Sequence, residues 1–242
     1  MIHTEEYRIN SHDCDFNGFA KPSAVLRYMH ETANLQMKKF GPSNDELRAM
    51  NKAFILNKIN LSFYKSLKSF DVIRVETWAY ESKGVSFYRC SRVFTGQDLA
   101  AEMVAVFALV DIKEKRLCRV EDIAFGFDTE PLMLELDLPS RFRIPEGTDM
   151  RLLGEYNVNY SDTDVNMHMN NTNYLDLFCD FLPDNKYERV ICAVINYQSE
   201  APLGCTLKVY RGQSDENSFY FRTVRNDGKI NSESFIITDK IR

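Results

Sequence analysis

Apolar residues recur along this chain with two different periods, and the switch between them marks out its elements. In PSAVLRYMHETANLQMKKF, the residues Pro22, Leu26, Met29, Ala33, Met37 and Phe40 fall at three- and four-residue steps, the spacing of one helical face. Pro22 suits a first helical position, and Gly41-Pro42 is a stop signal. A second helix is predicted around Tyr174, Phe178 and Phe181, which share a face, and Pro183 ends it. Elsewhere the chain turns to short runs of β-branched and aromatic residues, which predict strands. In the first half these are FILNKINLSFYKSL, DVIRVETWAY, VSFYRCSRVF and LAAEMVAVFALVDI, with turns at Gly84 and at TGQD, 95–98. In the second they are RVICAVINYQS, CTLKVYR, SFYFRTV and KINSESFIIT, with the hairpin turn NDG at 226–228.

The order of elements repeats, and so do individual residues. Placing Asp15 on Asp164 is a shift of 149 (164 − 15), which lays Tyr7 on Tyr156, Asn10 on Asn159, Asp13 on Asp162 and Asn17 on Asn166. Phe19 falls on His168. Each half reads as a short strand, a D-x-D-apolar-N stretch, a helix, and four mostly sequential antiparallel strands. That pattern predicts an α+β layer architecture in which a long helix packs on an antiparallel sheet. The predicted domains are 1–125 and 151–242. Residues 126–150, rich in proline and acidic residues, read as a linker.

Three readings of the repeated stretch compete. Asp13, Asp15, Asn17 and Gly18 open like a calcium-binding loop, but the bidentate Glu needed at position 12 is replaced by Ala24, and by Asn173 in the second copy. Calcium is rejected. For Asp13, Asp15, Asn17 and Asp162, capping and turn formation suffice. The catalytic reading bears on the second copy alone. If Asp164, Asn166 and His168 alternate along an extended segment entering a helix, their side chains share one face near helix N-terminal amides. The residues alone leave His168 open between a structural and a catalytic role.

Composition narrows the classes. At 242 residues, with 44% hydrophobic and 27% charged residues, the chain is an ordinary globular sequence with room for a large core. No apolar run approaches the roughly 20 residues that span a bilayer. The N-terminal MIHTEEYRIN lacks the layout of a signal or transit peptide. Six scattered cysteines without a C-x-x-C pair argue for reduced thiols in a cytoplasm. A net charge of −5 argues against nucleic acid as a partner. The densest cationic segment carries Lys113, Lys115, Arg116 and Arg119. No G-x-S-x-G elbow, metal motif or nucleotide motif is present.

The run DTDVNMHMNNTNY, from Asp162 to Tyr174, resembles the D-x-D-x-N-x-H-x-N-N-x-x-Y signature of the acyl-acyl-carrier-protein thioesterases, tandem hot-dog proteins of plant plastids and bacteria. The resemblance covers essentially the whole chain. It implies hydrolysis of fatty acyl-acyl-carrier-protein to free fatty acid, terminating fatty acid synthesis, without a metal or cofactor. It also implies a carrier protein bearing an acyl-phosphopantetheine chain as partner. It assigns the site to Asp164, Asn166, His168 and Glu200, the last from the strand VINYQSEAPLG. Taken by itself, Glu200 reads as an exposed strand-end charge. The plant-type pattern places a cysteine directly after that glutamate. Here the residue is Ala201, with Cys205 four further on, so the resemblance supports carboxylate rather than thiol chemistry. Glu200 then serves as general base for water or attacks directly. His168 orients the carbonyl or protonates the leaving thiolate, Asn166 holds the nucleophilic groups or water, Asp164 fixes the other two, and amides near 169–171 serve an oxyanion. The first half is expected to supply the acyl tunnel, with Met29, Met37, Phe54, Leu56, Phe63 and Trp78 as wall residues. An acyl-coenzyme A thioesterase and a non-enzymatic acyl-binding protein are the alternatives. The expected setting is a bacterial cytoplasm, and the expected state a monomer or a homodimer without membrane attachment.

Overall fold

The computed structural model describes residues 1–82, 84–136 and 142–240. The chain forms two compact units, Met1–Leu136 and Asp137–Arg242. Each is an antiparallel sheet with helix on it, the α+β hot-dog architecture.

In the first unit β1 is His3–Arg8, β2 Lys52–Phe63, β3 Val72–Ala79, β4 Ser86–Thr95, β5 Asp98–Asp111 and β6 Arg116–Leu117. The main strands lie in the order β1-β3-β4-β5-β2, and β6 pairs with β5. In the second unit β7 is Arg151–Asn157, β8 Glu188–Tyr197, β9 Thr206–Asp215, β10 Ser218–Arg225 and β11 Ile230–Lys240. Their order, β7-β9-β10-β11-β8, is the same order again. The duplication read from D-x-D-apolar-N therefore extends to every main strand. The sheets are less sequential than the strand runs predict. Among the main strands, only the last three of each unit follow one another as hairpins. The first strand pairs with the third and the second with the fifth, because the chain runs through a helix between its first and second strands.

Helix α1, Pro22–Phe40, has the predicted limits. Pro22 occupies its first turn, where a missing N–H costs nothing. Gly41, at φ 71°, takes the positive-φ backbone that ends it and that glycine adopts without strain. Its inner face buries Leu26, Met29, Ala33 and Met37. Fully burying a side chain such as Leu26 or Met29 contributes about 1.5–3 kcal/mol. A short helix, α2 at Asn44–Ala49, goes beyond the elements predicted above. Its signal is present, since Ser43 and Glu46 form a reciprocal capping box. In the second unit α3 is Asn173–Asp180, only eight residues. It buries Tyr174, Leu175, Leu177 and Phe178, and the Phe178 ring stacks on Phe221 of β10 with centroids 4.9 Å apart.

Past β6 the chain continues to pack on the first unit. Phe127 and Leu134 are buried. Gly126 donates its N–H to Gly41 O at 3.0 Å, and the Trp78 indole donates to Leu132 O at 2.8 Å. A side chain at Gly126 has no room: its Cβ would lie 1.8 Å from Phe40 O. Each unit also carries one half-buried ion pair at the same place in its sheet. Arg92 reaches Glu102 at 2.8 Å, and Arg222 reaches Glu233 at 2.8 Å from its Nε. A further side chain completes each, Tyr64 at 3.0 Å in the first and Gln198 at 3.1 Å in the second.

Candidate active site

Residues 163–169 form a tight hairpin turn rather than the extended alternating segment predicted. Thr163 and Met169 make an isolated bridge across it. Asp164 N–H donates to His168 O at 3.0 Å, and Met167 N–H donates to Asp164 O at 3.0 Å. The Asp164 carboxylate accepts the Asn166 N–H at 2.8 Å, closing an Asx turn. Short polar residues fold this way because the aspartate competes successfully for nearby backbone donors. Met167 sits at φ 62° as a result, a left-handed conformation unusual for a non-glycine residue.

The first copy folds the same turn. Asp15 accepts the Asn17 N–H at 2.8 Å, Asp15 N–H donates to Phe19 O at 2.8 Å, and Gly18 holds the position of Met167 at φ 80°. Asp13 and Asp162 serve as structural acceptors at the entry to each turn. Asp13 takes the Tyr28 hydroxyl at 2.7 Å, and Asp162 takes the Tyr156 hydroxyl at 2.7 Å. Burial alone would raise the Asp13 carboxyl, but the bonds from Tyr28 and Asn10 outweigh it and hold it low. Its partner Tyr28 is pushed up to about 12 by burial and by that same bond.

Backbone pairing brings Glu200 to the turn. His168 bridges Pro202, Met169 N–H donates to Ala201 O at 2.8 Å, and Leu203 N–H donates to Met167 O at 2.9 Å. The result places His168 Nε2 3.5 Å from Glu200 Oε2. The histidine side chain is 31% exposed and the glutamate 61%, so the pair opens to water. Of the four residues singled out in the sequence, the structure thus joins Asp164 to Asn166 and His168 to Glu200. Asn166 is exposed.

One expectation about this region needs correcting. The amides of Met169 and Asn170 do not await a ligand: the first is bonded to Ala201 O and the second donates to Asp162 O at 2.8 Å. They stand outside α3, whose N-cap is Thr172. Cys205, four residues past Ala201, is buried, with its thiol 3.7 Å from Thr206 O.

The same pairing in the first copy identifies residues that the sequence patterns pass over. Phe19 bridges Lys68, and Ala20 N–H donates to Leu67 O at 2.8 Å, which sets Ser66 where the second copy has Glu200. The first copy therefore lacks both members of the pair. The glutamate's own backbone is held from a distance. Arg225 Nη1 donates to Glu200 O at 2.8 Å, and the wholly buried Asn231 donates to Ser199 O while its Oδ1 accepts Thr223 Oγ1 at 2.8 Å. No local motif announces Arg225 or Asn231, because only the β10–β11 hairpin register brings them here.

The walls expected of the first unit divide. Met37 and Phe54 line a cavity of about 200 Å³, together with Phe87, Phe107, Phe125 and Phe127. Met29, Leu56 and Trp78 are buried as core away from that lining. The cationic segment at Lys113, Lys115, Arg116 and Arg119 is exposed. Among the described residues no helix is long and apolar enough to cross a membrane, and none of the six cysteines forms a disulfide.

Residues 1–125 match the sequence model of the acyl-ACP thioesterase N-terminal domain, and residues 146–238 match that of the C-terminal domain. The chloroplastic palmitoyl-acyl carrier protein thioesterase of Cuphea hookeriana is 23% identical over 83% of this chain and 52% of its own length. The corresponding protein of Gossypium hirsutum is 20% identical over 99% of this chain and 61% of its own length. The chain thus spans little more than half of the curated relatives it matches. In fold it is similar to an acyl-ACP thioesterase from Bacteroides thetaiotaomicron (TM-score 0.86, 19% identity, 98% of each chain). It is also similar to the 12:0-ACP thioesterase from Umbellularia californica (TM-score 0.79, 14% identity, 99% of this chain and 98% of that one). With both of its halves matched in order, this chain belongs to the acyl-ACP thioesterase family.

Proposed function

We propose that the protein hydrolyses the thioester of a fatty acyl chain carried on the phosphopantetheine arm of acyl carrier protein, releasing free acid and the carrier thiol and so ending chain growth. The observation that carries this reading is the pairing of His168 with Glu200 on the second turn, where the matching turn holds Phe19 and Ser66. A matching backbone turn that carries the His–Glu pair in one copy alone fits a single hydrolytic site.

In this reading Glu200, open to water, takes a proton from the water that attacks the thioester carbon. His168 steadies the carbonyl oxygen as charge develops and protonates the departing sulfur when the C–S bond breaks. The 3.5 Å contact then lets Glu200 return its proton to His168, which balances the cycle. Asn166 orients the water through its amide. Asp164 acts as a positioning residue, because its carboxylate holds the turn on which Asn166 and His168 stand. The phenylalanine-rich cavity of the first unit suits an aliphatic chain, and six cysteines without a disulfide fit a reducing cytoplasm.

The test is release of thiol and fatty acid from a panel of acyl-carrier-protein and acyl-coenzyme A thioesters. Wild type is compared with His168→Ala and Glu200→Gln. Turnover that favours the carrier-protein substrates and collapses in both variants is expected. Wild-type hydrolysis of no thioester would overturn the proposal.

A further inference from the structure

The cavity of the first unit is apolar over most of its wall, yet two basic side chains stand in it. His30 on α1 and Arg89 on β4 both line it. Arg89 is 8% exposed. Its hydrogen bonds leave from Nη1, to Gln36 Oε1 at 2.6 Å and Thr77 Oγ1 at 3.4 Å, and both partners are neutral. His30 Nε2 is sealed from water without a hydrogen-bond partner. Arg89 faces His30 across the cavity, and among the described residues that line it there is no Asp or Glu.

A buried guanidinium without an anion is costly, because desolvation removes its hydration and nothing of opposite sign replaces it. Arg92, on the same strand, and Arg222 each meet a glutamate. Arg89 differs in that it borders empty space. A chain arriving along Phe54, Phe87, Phe107 and Phe125 would meet aromatic surface first and a cation with a vacant imidazole nitrogen beside it. Five N–H donors in a planar fork match a carboxylate, two oxygens at a time.

We infer that this cavity is a receptor for the carboxylate of an aliphatic acid, with the charged end on Arg89 and His30 and the chain against the phenylalanines. Two sources present that chemistry: a free fatty acid, such as a released product, and an acyl chain bearing a second carboxyl at its far end. The inference stands on the first unit alone and survives or fails separately from hydrolysis at His168 and Glu200.

The experiment is calorimetric titration of the full chain with decanoate, methyl decanoate and decanol below their aggregation limits. Wild type is compared with Arg89→Met, Arg89→Lys and His30→Gln, all checked for folding by circular dichroism and melting. Decanoate should bind wild type at least about tenfold more tightly than the ester or alcohol, the scale of a charge-assisted hydrogen bond. Arg89→Met should erase that preference while leaving ester binding unchanged, and Arg89→Lys should restore part of it. Equal binding of acid and ester, undiminished decanoate binding by folded Arg89→Met, or no binding of any probe would each overturn the inference. Kinetic arms separate the sources. Inhibition of turnover by free decanoate, lost in Arg89→Met, identifies the released acid. Faster turnover of an ω-carboxy acyl thioester than of the plain chain, lost in the same variant, identifies the substrate end. Thioester hydrolysis without decanoate binding would sink this inference and leave the proposed activity standing; decanoate binding without hydrolysis would do the reverse.

Discussion

Replacing His30 with leucine should abolish a defined part of the protein's acid sensitivity. Burial, with Arg89 adding to it, pushes the His30 imidazole down from its ordinary 6.5 to about 4. The unfolded chain therefore takes up a proton near pH 6.5, while the folded protein refuses it until near pH 4. Between those values the unfolded state holds more protons, so stability rises with pH across the window and is lost on acidification. A tenfold change in proton affinity is worth about 1.4 kcal/mol, and the fall from 6.5 to about 4 therefore amounts to roughly 3 kcal/mol. For a domain whose total stability is about 5–15 kcal/mol, that is a substantial share. The assay is urea unfolding of wild type and His30→Leu at closely spaced pH values from 7.5 to 3.5 (roughly the window set by the two states). Carboxylates shared by both proteins cancel in the difference. The stability of the variant relative to wild type should climb by about 3 kcal/mol as pH falls through the window, then level off. A difference independent of pH would show that His30 accepts its proton in the folded state as readily as in the unfolded one.

Other expectations follow from the site and the core. His168→Ala and Glu200→Gln should each lower kcat about 10²–10⁴-fold on acyl thioesters, with melting temperatures unchanged because both side chains lie partly in water. Cys205→Ser should keep near wild-type turnover, and thiol-blocking reagents should leave the native enzyme active; parallel loss in both assays would revive thiol chemistry. Glu233→Ala, which strands Arg222 and Gln198, should cost about 2–3 kcal/mol in denaturant unfolding. Gly126→Ala should destabilise the protein by at least about 1–3 kcal/mol, since the added methyl meets the Phe40 carbonyl and neither backbone can yield cheaply.

What could be read in the sequence was whatever is encoded by neighbours along the chain. The limits of α1 follow from Pro22, the apolar steps to Phe40, and Gly41. The strands follow from their β-branched runs, and the duplication from aligned Asp and Asn. The stretch from Asp164 to His168 misled, because alternation assumes extended backbone, and Asp164 instead captures the Asn166 N–H and bends the chain. The strand order was equally hidden. Nothing in Lys52–Phe63 tells that its partner is β5 rather than β3, since pairing depends on where α1 delivers the chain. His168 stands out already in the duplicated stretch, Glu200 only through a resemblance, and their approach is a matter of register. Ser66, Arg225 and Asn231 carried no signal at all, for each matters only through a partner that hairpin geometry brings from far along the chain.

The two turns also bear on how such a protein comes to divide its labour. Asp15 and Asp164 hold their loops by bonds to backbone, so the framework does not depend on which side chain closes it. Phenylalanine or histidine, serine or glutamate, stand at the matching stations of the same turn. Two side chains, at the stations of His168 and Glu200, are therefore enough to set the copies apart while the loop stays the same. The first unit keeps the same loop around Phe19, and beside its cavity Arg89 is bonded to neutral partners alone.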